Sequence, residues 1–269
     1  MMARIFCSCA GAASRLALAA MACGFVTGMA QAADSGATPG VTPYRPSVST
    51  PAALSATGWI EAELGGLSAS NNDSSRSDSL PYSLKLAFSP EWGVRLGGNA
   101  YVRAVDSSGD ASRGLGDTSI VLKHRFTSDG AAALGAEFGV SFPTAGTGLG
   151  SGTTDCMLNG IYSVDSGDYH TDVNLTLTRP GAVEPGLGRT LVGWAAAMSR
   201  QYRHGFSAVA EWSGSERGGA PGTSQLLVAG SYSPAASKSL DAGISRGLND
   251  ATPRWSFFAG ITLLVARLY

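Results

Sequence analysis

The chain has 269 residues, 36 of them glycine, with 14% charged side chains and a formal charge of −1. That length suits one large β domain, and no apolar run of roughly eighteen residues follows the N-terminal segment, which argues against a helical membrane span. Sparse, balanced charge without a basic patch argues against nucleic-acid binding.

Residues 1–32 read as a secretory signal peptide. Arg4 and Arg15 supply the positive start, Leu16 to Val26 is apolar but too short to anchor, and Ala30-Gln31-Ala32 is an A-x-A site with cleavage before Ala33. A lipoprotein reading on Cys23 is the weaker one, because Ala20-Met21-Ala22 makes a poor lipobox. Loss of Arg4 and Arg15 takes the formal charge from −1 to −3. Of four cysteines, Cys7, Cys9 and Cys23 lie in this segment. Only Cys156 follows it, so no internal disulfide and no cysteine-built metal site is expected. Residues 33–56 are rich in Ala, Thr, Ser and Pro and are predicted to be a disordered lead-in. The barrel domain is assigned to 57–269.

From Gly58 onward, residues alternate with a period of two, the signature of β-strands. Strands are predicted at 58–66, 82–89, 92–104, 116–126, 131–142, 155–164, 169–179, 190–202, 205–213, 224–232, 239–247 and 254–269. In the fourth, Ile120, Leu122 and Phe126 oppose Val121, Lys123 and Arg125. In the fifth, Leu134, Phe138 and Val140 oppose Gly135, Glu137 and Gly139. Long connections (67–81, 105–115, 143–154, 180–189, 214–223, 248–253) alternate with short ones throughout. That alternation predicts an all-β fold, a transmembrane antiparallel up-and-down barrel of about 12 strands in the outer membrane of a Gram-negative cell. A soluble sandwich has no reason to keep it. The even strand count puts both ends of the barrel on the periplasmic side, with 127–130 a periplasmic turn and the long connections outside.

The outward faces read as apolar, for example Val173, Leu175 and Leu177, or Val192, Trp194, Ala196 and Met198. Aromatic residues gather near strand ends, as interfacial girdles do. The last strand places Trp255, Phe257, Ala259, Ile261, Leu263, Val265 and Tyr269 on one face, similar to the C-terminal assembly signal of outer-membrane proteins, with Arg267 departing from it.

Gly114-Leu115-Gly116-Asp117 opens a strand. Phe142-Pro143-Thr144-Ala145-Gly146 and then Gly150-Ser151-Gly152-Thr153-Thr154-Asp155 follow. On these residues the chain resembles the "meta-pathway of phenol degradation" family of outer-membrane proteins, often labelled transporters. The resemblance implies a β-barrel and passage of hydrophobic or aromatic compounds.

These glycine-rich runs lead into strands and not helices, so a phosphate-loop reading lacks its context. Asp117 and Asp155 are expected at the extracellular mouth, bonded to loop amides. Strand parity turns Glu61, Glu63, Lys85, Arg95, Arg103, Lys123, Arg125, Glu137, Asp172, Glu211 and Asp241 into the lumen, with Lys123 opposite Glu137 and both Glu61 and Glu63 beside Lys85. A wet lumen would make each such pair worth only about 1 kcal/mol. His170, Asp172 and Asn174 share one face, but strand spacing spreads them too far for a catalytic triad. No catalytic residue, metal or cofactor is expected. The leading function is a passive outer-membrane channel for small solutes, hydrophobic or aromatic ones included. A structural or surface-interaction barrel with a plugged lumen is the alternative, and an outer-membrane hydrolase the third. The expected partners are outer-membrane lipid and such solutes.

Overall fold

A computed structural model describes residues 38–126 and 130–269. The predicted signal peptide and the first residues of the lead-in lie outside the described residues, as does most of the 127–130 turn.

The strands are β1 (Trp59–Ser70), β2 (Arg76–Ala87), β3 (Trp92–Val105), β4 (Ala111–Gly114), β5 (Thr118–Phe126), β6 (Ala132–Phe142), β7 (Asp155–Ser166), β8 (Tyr169–Arg179), β9 (Leu191–Gln201), β10 (Phe206–Arg217), β11 (Thr223–Ala235), β12 (Lys238–Gly247) and β13 (Trp255–Arg267). Neighbours in sequence pair antiparallel, except that β3 pairs both β4 and β5, and β1 pairs β13, with Trp59 opposite Arg267, so the sheet closes on itself. The short β4 continues β5 along the far end of β3: Val102 opposite Gly114 keeps the register of Gly98 opposite Thr118. The result is a closed 12-strand antiparallel barrel. Closure pairs the barrel strands on both sides, as a membrane interior requires, and among the described residues only the short β4 at the rim pairs on one side. This is the architecture of an outer-membrane barrel.

The alternation read in the sequence is the alternation in space. In β8, Leu175 is 56% exposed while its neighbour Asn174 is 4% exposed. Ile120, Leu122 and Phe126 lie on the exterior, and Val121 and Lys123 are buried inside. Such a pattern turns an apolar band outward and a polar wall inward. Rings sit at its two margins. At the end carrying the short turns, His124 packs tilted against Trp92 and edge to face with Phe126, and Phe206 stacks on Tyr232. Trp194 and Trp212 meet edge to face near the other end.

Two expectations are corrected. The connection expected over 67–81 shrinks to residues 71–75, because β1 and β2 continue as a paired ribbon from Leu67 opposite Ser79 to Ser70 opposite Arg76. Their Ser and Asp content reads as loop, yet cross-strand pairing holds them extended. The second correction is larger. The lead-in expected to be disordered is, over residues 39–57, folded into the barrel. Ser49 is 1% exposed and Ala52 0%. Val41 bonds the β11–β12 turn through Ala236, and Thr57 bridges Ala87. The segment therefore enters from the short-turn end, bends inside, and returns to the same end to begin β1. We call it the plug.

The orientation has a direct check. An epitope tag inserted at Ser108 should be labelled on intact cells, and one at Gly167 should not. Labelling of Gly167 on intact cells would invert the topology.

Candidate functional site: a plugged lumen

A barrel of this size has an interior wider than its own inward side chains fill. The plug occupies that space, and its bonds go to wall side chains. Thr42 and Tyr44 donate their backbone N–H groups to Glu61 and Glu63, at 2.9 and 2.7 Å. Val48 and Ser49 donate theirs to the two oxygens of Glu211, at 3.1 and 2.9 Å, and the Ser49 hydroxyl adds a third bond. Thr50 N–H reaches Asn174 at 2.6 Å, and Ala52 N–H reaches Ser163 at 2.8 Å. A segment without secondary structure would otherwise bury orphaned backbone donors; here carboxylates and amides of the wall satisfy them.

Tyr44 and Arg45 are the anchors. The Tyr44 ring makes cation–π contacts with two ammonium groups, Lys85 Nζ at 4.0 Å and Lys123 Nζ at 4.2 Å from its centroid. Its hydroxyl accepts from Lys123 at 2.9 Å and donates to Ala53 O at 3.1 Å. Arg45 lies along the wall over β1 and β13 and reaches Asp241 on the adjacent β12, with Nε and Nη2 bonds of 3.3 and 3.2 Å. The wall is shaped for it. Gly65 and Gly260 are cross-strand partners. A Cβ at Gly65 would come within 2.5 Å of the Arg45 guanidinium carbon, and one at Gly260 would overlap its Nε. Gly135 similarly leaves room for Ala52.

The expected pairs are present. Lys85 Nζ lies 2.5 Å from Glu61 and 2.6 Å from Glu63. Lys123 faces Glu137 at 3.4 Å, and the two residues are register partners. Their surroundings differ from the expected wet lumen: Glu61, Lys85, Lys123 and Glu137 are 0, 3, 3 and 2% exposed. The plug is what covers them, so removal of one partner strands a buried charge. Glu211 and Asp241 are also buried, each bonded to the plug.

Arg95 borders the cavities around the plug, and Asp172 accepts from the Ser163 hydroxyl. Two expected lumen residues stand elsewhere. Arg103 is exposed on the ribbon beyond the barrel proper, 3.5 Å from Asp78, because β3 extends past its pairing with β5. Arg125 is exposed near the end of β5, where its backbone N–H bonds Glu91 O at 2.7 Å. Parity assigns the face of a strand but does not report height along it.

Asp117 and Asp155 organise the opposite end. Asp117 accepts from Ala145 and Ser151 N–H at 3.1 and 2.7 Å, and Asp155 from Gly181 N–H at 2.9 Å. Gly150 is required there, since any Cβ would overlap the Asp117 carboxylate.

His170 and Asp172 are closer than strand spacing suggested. His170 Nε2 is 3.1 Å from Asp172, and its Nδ1 is 2.6 Å from Asp165. The side chains lean together across the i, i+2 gap. With a carboxylate on each ring nitrogen, the imidazole has no nitrogen left to activate a serine.

The residues missed in the sequence are Tyr44, Arg45, Ser49 and Thr50. Signals existed: a tyrosine and an arginine in an otherwise small-residue stretch, and glycines at inward wall positions 65, 135 and 260.

No family model matches the chain, and no curated protein matches it. Its fold is similar to solved structures. An outer-membrane channel from Pseudomonas putida F1 shares 14% identity, covers 79% of this chain and 97% of its own, and superposes with a TM-score of 0.63. The NanC porin shares 9% identity over 77% of this chain and 100% of its own, TM-score 0.55. The CymD monoaromatic hydrocarbon channel shares 9% identity over 80% and 90%, TM-score 0.51. At these identities the likeness is one of fold.

Burial sets the expected cost of breaking a pair. Lys123→Ala should lower unfolding stability by about 3–5 kcal/mol, whereas the paired change Lys123→Met with Glu137→Leu should cost far less. Equal losses in urea unfolding of the two folded proteins would mean the pair is not buried as described.

Proposed function

We propose that the chain is a passive outer-membrane channel for small solutes, closed at rest by its own residues 39–57. One observation carries this reading: the wall behind the plug is lined by ionised and amide side chains, and the plug is joined to it mainly by hydrogen bonds. Those bonds exchange with water at low net cost. Withdrawal of the segment would leave a polar bore running through the barrel. A core of interlocked apolar side chains would have had no such route.

Cavities stand on both sides of the plug. One of about 440 Å³ is bordered by Val48 and Thr50, and another of about 300 Å³ by Ser49 and Pro51. Alternate plug residues thus face alternate spaces, as a partition would. Both ends of the segment lie on the periplasmic side, so it can swing out without threading through the barrel.

The paired charges favour a second reading, a structural barrel whose lumen is permanently filled. Solute class separates further possibilities. Apolar and aromatic solutes draw support from the likeness to CymD and from the family resemblance on Gly114–Asp117. The wall favours polar solutes, since the inward positions beside the plug carry Ser, Thr, Asn and Gln. A hydrolase draws no support from His170, whose nitrogens are both engaged.

Planar-bilayer recordings distinguish the first two. Deletion of residues 39–56 should give a steady conductance several-fold above that of the intact protein. Gly65→Leu, which removes no charge, should displace Arg45 and also raise conductance. A folded deletion protein that conducts nothing would establish the structural barrel instead.

A further inference from the structure

The polar groups around the 440 Å³ cavity are mostly spoken for. Asn159 donates to Glu137 at 3.0 Å and accepts from Thr176 at 3.0 Å; Gln225 donates to Ser213 at 3.2 Å. Arg95 is different. Its Nε is buried without a hydrogen-bond partner, and the side chain makes no hydrogen bond or ion pair with any described residue. The carboxylates near it are committed: Glu137 to Lys123 and Asn159, Glu63 to Lys85 and Tyr44 N–H. Its register neighbours are Lys85 and Val121, neither an acceptor side chain. Arg95 therefore borders this cavity with no carboxylate bonded to it, the nearby Glu137 being held by Lys123 and Asn159.

A guanidinium fork matches a carboxylate in shape and charge. The cavity shares with it one carboxylate, Glu137, already paired with Lys123, some apolar side chains, and hydroxyls and amides that can donate and accept without carrying charge. We propose that this cavity is a binding site for a small hydroxylated carboxylate of the uronic-acid type. Arg95 forks the carboxylate, and Thr176, Ser213 and Gln225 meet the hydroxyls. The volume is within the range of small-ligand pockets, roughly 300–1,000 Å³. The proposal deepens the channel reading and rests on it: the site would hold a solute above the plug before passage.

The test uses the purified full chain in detergent, plug in place, titrated calorimetrically with three probes. D-Glucuronate supplies carboxylate and hydroxyls, D-glucose only hydroxyls, and benzoate a carboxylate on an apolar ring. Glucuronate should bind about tenfold more tightly than either of the others, as loss of a charge-assisted contact implies. Arg95→Gln should weaken glucuronate by about tenfold and leave glucose unchanged. Arg95→Lys, which keeps the charge and loses the fork, should fall between. It serves as the test if Arg95→Gln fails to show the heat-modifiable migration of a folded barrel. Equal binding of glucose and glucuronate, tighter binding of benzoate, wild-type affinity in Arg95→Lys, or no glucuronate binding would each overturn the site. The channel reading fails separately: Arg95-dependent binding in a protein whose plug deletion conducts nothing overturns passage and leaves the site standing. Conductance without Arg95-dependent binding does the reverse.

Discussion

The structure depends on one constraint. A closed barrel of this width must fill or solvate its interior, and its inward wall carries charges that need partners. The plug answers both demands at once. Tyr44 against Lys85 and Lys123, and Arg45 against Asp241, bring an aromatic and a cationic group into a wall rich in carboxylates. Glu61, Glu63 and Glu211 accept the plug's backbone N–H groups. Neither partner is satisfied alone, so wall and plug order each other.

That mutual dependence explains why the segment looks disordered in the sequence and is ordered in the fold. A stretch of Pro, Thr, Ser and Ala has no periodicity and buries little apolar surface by itself. Its order comes from partners far along the chain: Ser49 with Glu211, Ala52 with Ser163, Arg45 with Asp241. No local pattern encodes such pairings. The strands are the opposite case. Alternation is local, so Ile120 outward and Lys123 inward are legible, as are the register-linked pairs Lys123–Glu137 and Lys85 with Glu61 and Glu63. Height along the barrel is not legible, since parity repeats unchanged from one end of a strand to the other. That is why parity alone puts Arg103 and Arg125 in the lumen alongside residues that do line it. Loop chemistry lies between these cases. Asp117 and Asp155 beside glycine-rich runs suggest carboxylates bonded to loop amides, and Asp117 with Ala145 and Ser151 has that form.

Burial also changes what the lumen charges mean. In open water an exchanged pair contributes little, but beneath the plug the same pairs are desolvated and become costly to break singly. A charge pattern suited to a wet bore is thus buried beneath the plug. Withdrawal of the plug would rehydrate Lys85, Lys123 and their partners, and this hydration partly replaces the cation–π stabilisation that Tyr44 gives them.

The central claim is that the position of residues 39–57 controls conduction. Ala52 and Gly135 allow it to be tested without deleting anything, because a Cβ at Gly135 would lie 3.4 Å from that of Ala52. That is close to the roughly 3.5–4.5 Å spacing of a disulfide. The measurement is single-channel current of Ala52→Cys/Gly135→Cys in a Cys156→Ser background, oxidised and then reduced in the same bilayer. The account predicts silence when oxidised and openings like those of the Cys156→Ser parent after dithiothreitol. Identical currents from the cross-linked and reduced forms, with the cross-link confirmed, would contradict it.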